Sequence, residues 1–222
     1  MNGYRRLLCL VLLAFASVSV GCSSVYYGAM EKLGYEKRDI MVSRVHEAKN
    51  SQNEAKEQFK SALERFNSVL AKKGGGKLEE KYKQLSAELE KSESKAAAVR
   101  KKVAAVEDVS GALFKEWKKE LSKYSSAVLR EKSEEKLESA ERRYETMIEA
   151  MKRAESKLEP ALAPFRDDVL FLKHNLNAEA IGSLGADLQS VESNVSELVS
   201  ELEKAIGEAD TFIREMEKVE AK

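Results

Sequence analysis

The sequence predicts an all-α fold, an elongated antiparallel helical bundle or coiled coil of about four long helices. Three observations carry that expectation. Apolar residues recur in alternating steps of three and four over most of the 222 residues, the spacing that lays side chains along one seam of a helix. Only two prolines interrupt the chain. Charged residues make up 34% of it, as suits long solvated helices better than a compact mixed fold.

The clearest run is Leu78 to Tyr124. Leu78, Leu85, Ser92, Val99, Val106 and Leu113 form one row. Tyr82, Leu89, Ala96, Val103, Ser110, Trp117 and Tyr124 form the other, and Gly111 is the only glycine within it. Past Trp117 the stripe shifts to Leu121, Tyr124 and Val128, which predicts a bend or repacking.

Ahead of this run, a first helix is predicted from Lys37 to about Lys73. Val45, Gln52, Phe59 and Phe66 alternate with Ala48, Ala55, Ala62 and Val69, so large residues face small ones and a partner helix can approach closely. Leu63 and Leu70 widen the stripe, which indicates more than one neighbour and hence a bundle. Gly74-Gly75-Gly76 supplies the turn.

After the long run, Ser133 followed by Glu134 and Glu135 reads as a capped helix start. Leu137, Tyr144, Met151 and Leu158 then alternate with Ala140, Met147, Ala154 and Ala161. Pro160 and Pro164 are expected to kink this helix, since each removes a backbone donor. A turn at Asn175–Asn177 precedes the last helix, which runs to about Val219. Its seam sets Leu184, Val191, Leu198, Ala205, Phe212 and Val219 against Leu188, Val195, Leu202, Ala209 and Met216. Short turns make sequential neighbours antiparallel, and each helix spans roughly 55–80 Å.

The chain divides into residues 1–21, 22–36 and 37–219. Arg5 and Arg6, the apolar run Leu7 to Phe15 and the small residues up to Gly21-Cys22 read as an export signal too short to span a bilayer. The segment is similar to a bacterial lipoprotein signal, although Ser19 stands where Leu is usual. That resemblance implies lipidation of Cys22 as the first residue of the mature chain. Cys9 lies in the removable part, so a single thiol would remain, and acylation would consume it. Residues 22–36 then form a tether, whose Tyr26, Tyr27 and Tyr35 suit either a membrane interface or the base of the bundle.

Segments 26–40 (YYGAMEKLGYEKRDI), 54–66 (EAKEQFKSALERF) and 165–184 (FRDDVLFLKHNLNAEAIGSL), together with the lipoprotein-like start, resemble an uncharacterised family of proteobacterial coiled-coil lipoproteins of unknown function. The resemblance implies an envelope location, and Ser23 rather than Asp after the cysteine resembles outer-membrane sorting. It brings no activity and no catalytic residues.

The residues themselves suggest no enzyme, cofactor or metal. His46-Glu47 lacks the second histidine of a zinc-protease motif, because Asn50 stands there. Neither His46 nor His174 has a glutamate three residues before it, as a di-iron bundle requires. Gly74-Gly75-Gly76-Lys77 is followed by Leu78 where a phosphate loop needs Ser or Thr. The 38 basic and 38 acidic residues cancel, so no nucleic acid is expected.

Two places draw attention instead. Val169-Leu170-Phe171-Leu172 is apolar on every side of a helix. Such a run is ordinarily central core, or else a docking patch made by Phe171 and Leu172 with the nearby His174. Trp117 is likewise core or an interface anchor. The expectation is therefore a non-catalytic, lipid-anchored scaffold or adaptor facing the periplasm, most simply from the outer membrane. It would meet the membrane through its lipid and an envelope protein through the rod. Regulation of a periplasmic enzyme or transporter, membrane-surface remodelling and assembly as a homo-oligomer stay open.

Overall fold

The computed structural model describes residues 36–71, 78–175 and 178–218, with side chains for all of these except 178–187 and 218. The helices are α1 (Lys37–Ala71), α2 (Leu78–Leu121), α3 (Ala127–Ser156), α4 (Leu158–His174) and α5 (Ala178–Lys218). The predicted all-α bundle is what forms. α3 and α4 are one rod broken at Lys157, so the bundle has four members. Each packs on two neighbours, in the cyclic order α1, α2, α3–α4, α5.

Cross-helix ion pairs fix direction and register. Lys37, Glu47 and Glu54 of α1 meet Glu116, Lys102 and Lys95 of α2 at 2.6, 2.7 and 2.7 Å. Glu107, Arg100 and Glu93, descending α2, meet Lys152, Glu159 and Arg166 in ascending order at 2.5, 3.4 and 2.9 Å. Lys49 of α1 reaches Asp210 of α5 at 2.8 Å, and Lys157 reaches Glu197 at 2.7 Å. Every neighbour is thus antiparallel, and α4 continues in the direction of α3. Exposed pairs contribute only about 0–1 kcal/mol each, so this ladder specifies alignment more than stability.

Stability comes from the seams. Val45, Phe59 and Phe66 of α1, Leu85, Val99 and Val103 of α2, Met147 and Met151 of α3, and Leu198 and Leu202 of α5 are all buried. Fully burying one such side chain is worth roughly 1.5–3 kcal/mol. Leu184 and Val219 of the predicted α5 seam fall outside the described side chains, as does the Gly74–Gly76 turn.

Gln52 is the exception within the α1 seam. It is fully buried, and neither its Oε1 nor its Nε2 finds a hydrogen bond among the described residues. A buried amide left unmatched costs about 1–3 kcal/mol, while a polar residue in a seam can fix register. Gln52→Leu is expected to raise unfolding stability by about 1–2 kcal/mol, read as a higher urea midpoint. A lower midpoint would mean that the amide is supporting the core.

Three expectations are corrected. Ser133 does not cap a helix. The cap is Ser126, whose Oγ accepts from Leu129 N–H at 3.4 Å, and α3 starts two turns earlier than predicted. Ser133 is instead buried as the partner of Trp117. Second, the shifted stripe Leu121, Tyr124, Val128 is not a seam. α2 ends at Leu121, the chain turns, and Tyr124 and Val128 are exposed.

Third, the prolines do not set two kinks. The break falls at Lys157, whose N–H bonds back to Ala154 O at 3.1 Å. Pro160 is the third residue of α4, in the first turn, where no N–H is required. Pro164 lies inside the continuous α4.

Candidate functional site

The residues singled out from sequence do not form one site. The ladder places Arg166 against Glu93, so Phe171 lies about level with Glu88 on α2. Trp117 is then roughly 40–45 Å away along the axis. One end of the bundle holds Trp117, the start of α1 and the α2–α3 turn. The end of α4 lies toward the other.

At the first end, Trp117 is half-buried, and its indole Nε1 donates to Ser133 Oγ at 2.9 Å. The bond accounts for the polar tip of a ring that otherwise packs on the core. Beside it opens a groove of about 850 Å³. Leu113, Trp117, Tyr124 and Leu129 supply its apolar lining, and its charged lining is balanced, Lys37, Arg38, Lys132 and Lys136 against Glu36, Glu116, Glu120 and Glu135. Trp117 is therefore both core contact and groove wall, because it sits where the seam runs out.

Just inside this end, Phe114 and Tyr144 meet edge to face with ring centres 5.5 Å apart. Burial pushes the Tyr144 phenol above its ordinary range, against a hydrogen bond with Ser110. Further along, the Lys102 ammonium bound to Glu47, helped by Arg44, holds that carboxyl below its usual range despite some burial. These shifts belong to pairs that hold helices together.

At the other end the apolar run of α4 is split. Val169 and Leu172 are buried, Leu172 completely. Leu170 is 52% exposed and Phe171 41% exposed. A helix presents only one side to its neighbours, so four consecutive apolar residues cannot all be covered when the helix has two neighbours rather than a full ring. Central burial is thus corrected for Leu170 and Phe171, and a place in the patch is corrected for Leu172. His174 is exposed in the last turn of α4. Asn175 ends the helix, its N–H and side-chain Nδ2 both donating to Phe171 O at 3.0 Å. The patch is therefore Leu170, Phe171 and His174 on a well-capped helix end.

Sequence reading left Leu170 out of the patch proper, took Val128 for a continuing stripe and passed over Leu129; Val128 and Leu129 are 60% and 55% exposed. The available signal was the loss of heptad spacing after Trp117, where apolar residues persist without a seam to serve. Cys22 and the tyrosines of the tether lie outside the described residues. Among the described residues no helix is long and apolar enough to cross a membrane.

No curated protein and no solved structure matches the chain significantly. The family described as protein of unknown function (DUF2959) matches residues 26–216, a span holding nearly all of the described bundle, and the chain belongs to that family.

Proposed function

We propose that this protein is a non-catalytic, lipid-anchored component of the bacterial envelope, a periplasm-facing rod that serves as scaffold or adaptor for an envelope protein. The observation that carries this reading is the separation of two ends. α1 begins beside Trp117, so the chain enters the described bundle at that end. Leu170 and Phe171 are exposed near the opposite end, roughly 40–45 Å away. A chain anchored at Cys22 would hold the α4 patch clear of the bilayer on a stiff spacer. The capped helix end and the buried Leu172 beneath keep the patch in fixed shape.

A photo-crosslinking residue at position 171 in living cells tests this. One envelope protein should be captured from position 171 and not from exposed Arg142 on α3. Cys22→Ser should abolish the capture. Equal products from both positions, or capture that survives Cys22→Ser, would contradict the reading.

A further inference from the structure

The α2–α3 turn is built unlike the rest of the bundle. From residue 118 to 132 every side chain is exposed except Leu121 and Ser126, which are partly covered. Tyr124, Val128 and Leu129 are three of the five large apolar side chains exposed among the described residues. The core does not use them, since the first buried residue of α3 is Ser133. The turn is nevertheless well formed, with Lys123 N–H on Glu120 O at 2.9 Å and Ser126 capping α3.

The same stretch is basic. Lys118, Lys119, Lys123, Arg130 and Lys132 stand against Glu120 and Glu131. Extending to Lys136 adds Glu134 and Glu135, and an excess of basic residues remains. Lys118 and Lys123 pair with Glu141 and Glu120. Lys119, Arg130 and Lys132 form no ion pair among the described residues. The chain as a whole is neutral, but charges more than about 8–10 Å away are screened by physiological salt. A surface meeting this tip meets its local charge.

We infer that the α2–α3 tip is a contact surface for an anionic phospholipid bilayer. Val128, Leu129 and the Tyr124 ring enter the interface, and Lys119, Arg130 and Lys132 lie against lipid phosphates. An apolar residue pair rimmed by unpaired cations is the chemistry of a headgroup boundary. Placement agrees. The tip is at the end where the chain enters α1, and the 15 residues Cys22–Glu36 reach at most about 50 Å when extended. This placement rests on the anchored reading above; the chemistry of the tip does not.

The test uses residues 22–222 carrying Cys22→Ser, which keeps every described helix and has no acyl chain. Co-sedimentation with phosphatidylcholine vesicles containing phosphatidylglycerol should exceed that with phosphatidylcholine alone by about tenfold or more, and high salt should remove most of it. The Val128→Glu/Leu129→Glu variant should lose about tenfold in binding while keeping its helical circular dichroism. Lys119→Glu/Arg130→Glu/Lys132→Glu should lose the preference for anionic vesicles. Leu170→Glu/Phe171→Glu should bind as the parent does. The inference is overturned if the parent does not bind anionic vesicles, if the tip variants bind undiminished, or if the tip substitutions instead dissolve a dimer seen by sedimentation. Failure of the anchored reading alone would leave vesicle binding intact.

Discussion

Leu172→Asp is expected to unfold the bundle or bring it to the edge, while Phe171→Asp, one residue earlier, leaves it folded. Leu172 has no exposed surface. The substitution removes its burial and places a carboxylate in a position with no access to water. A loss of at least about 4 kcal/mol follows, against a total stability of about 5–15 kcal/mol for an ordinary domain. Phe171 already faces solvent. Its replacement should cost at most about 1 kcal/mol, mostly because an acidic group near a helix C-terminus opposes the dipole. Urea titrations followed by circular dichroism separate the two. Equal losses would show that Phe171 is core, and that the α4 patch does not exist.

Phe66→Ala should cost about 3–5 kcal/mol, by lost burial and the cavity left behind. The Phe66 ring meets Phe165 of α4 edge to face with centres 5.8 Å apart. Both are buried, and Ala62, Ala161, Val191 and Val195 surround them. This cluster joins α1, α4 and α5 across the middle of the bundle, where alanines give few alternative contacts. Phe165→Ala should cost a similar amount. The double variant should fall short of the sum by about 0.5–1.5 kcal/mol, the part that belongs to the ring pair. Strict additivity would mean that the rings stabilise only through their separate burial.

The helices were legible because their seams obey one rule over many turns. Leu85, Val99, Met147, Ala154, Leu198 and Ala209 lie where heptad spacing puts them, and all are buried. What the spacing does not encode is where a seam ends. Ser133 carries the local chemistry of a cap, with two acidic residues behind it. It is buried because Trp117 from another helix needs an acceptor at that point. Ser126 took the cap because the turn after Leu121 comes earlier. Pro160 predicted a kink at its own position. The break lies three residues before it, where the missing N–H falls in a first turn and costs nothing.

The candidate surfaces were half legible for the same reason. A run such as Val169–Leu172 announces apolar character but not which side is covered. Coverage depends on having two neighbours, a property of the whole bundle. The tip was less visible still. Whole-chain neutrality concealed its basic stretch, and its apolar residues resembled a continuing seam.

The central claim is that α3 and α4 run on in one direction, which sets the α2–α3 turn and the α4 patch far apart. Double electron–electron resonance between spin labels at Arg130→Cys and Lys173→Cys, in a chain free of native cysteine, measures this directly. A continued rod predicts one distance near 65 Å. A chain that doubles back at Lys157 would give about 20 Å, and a distribution centred there would contradict the account.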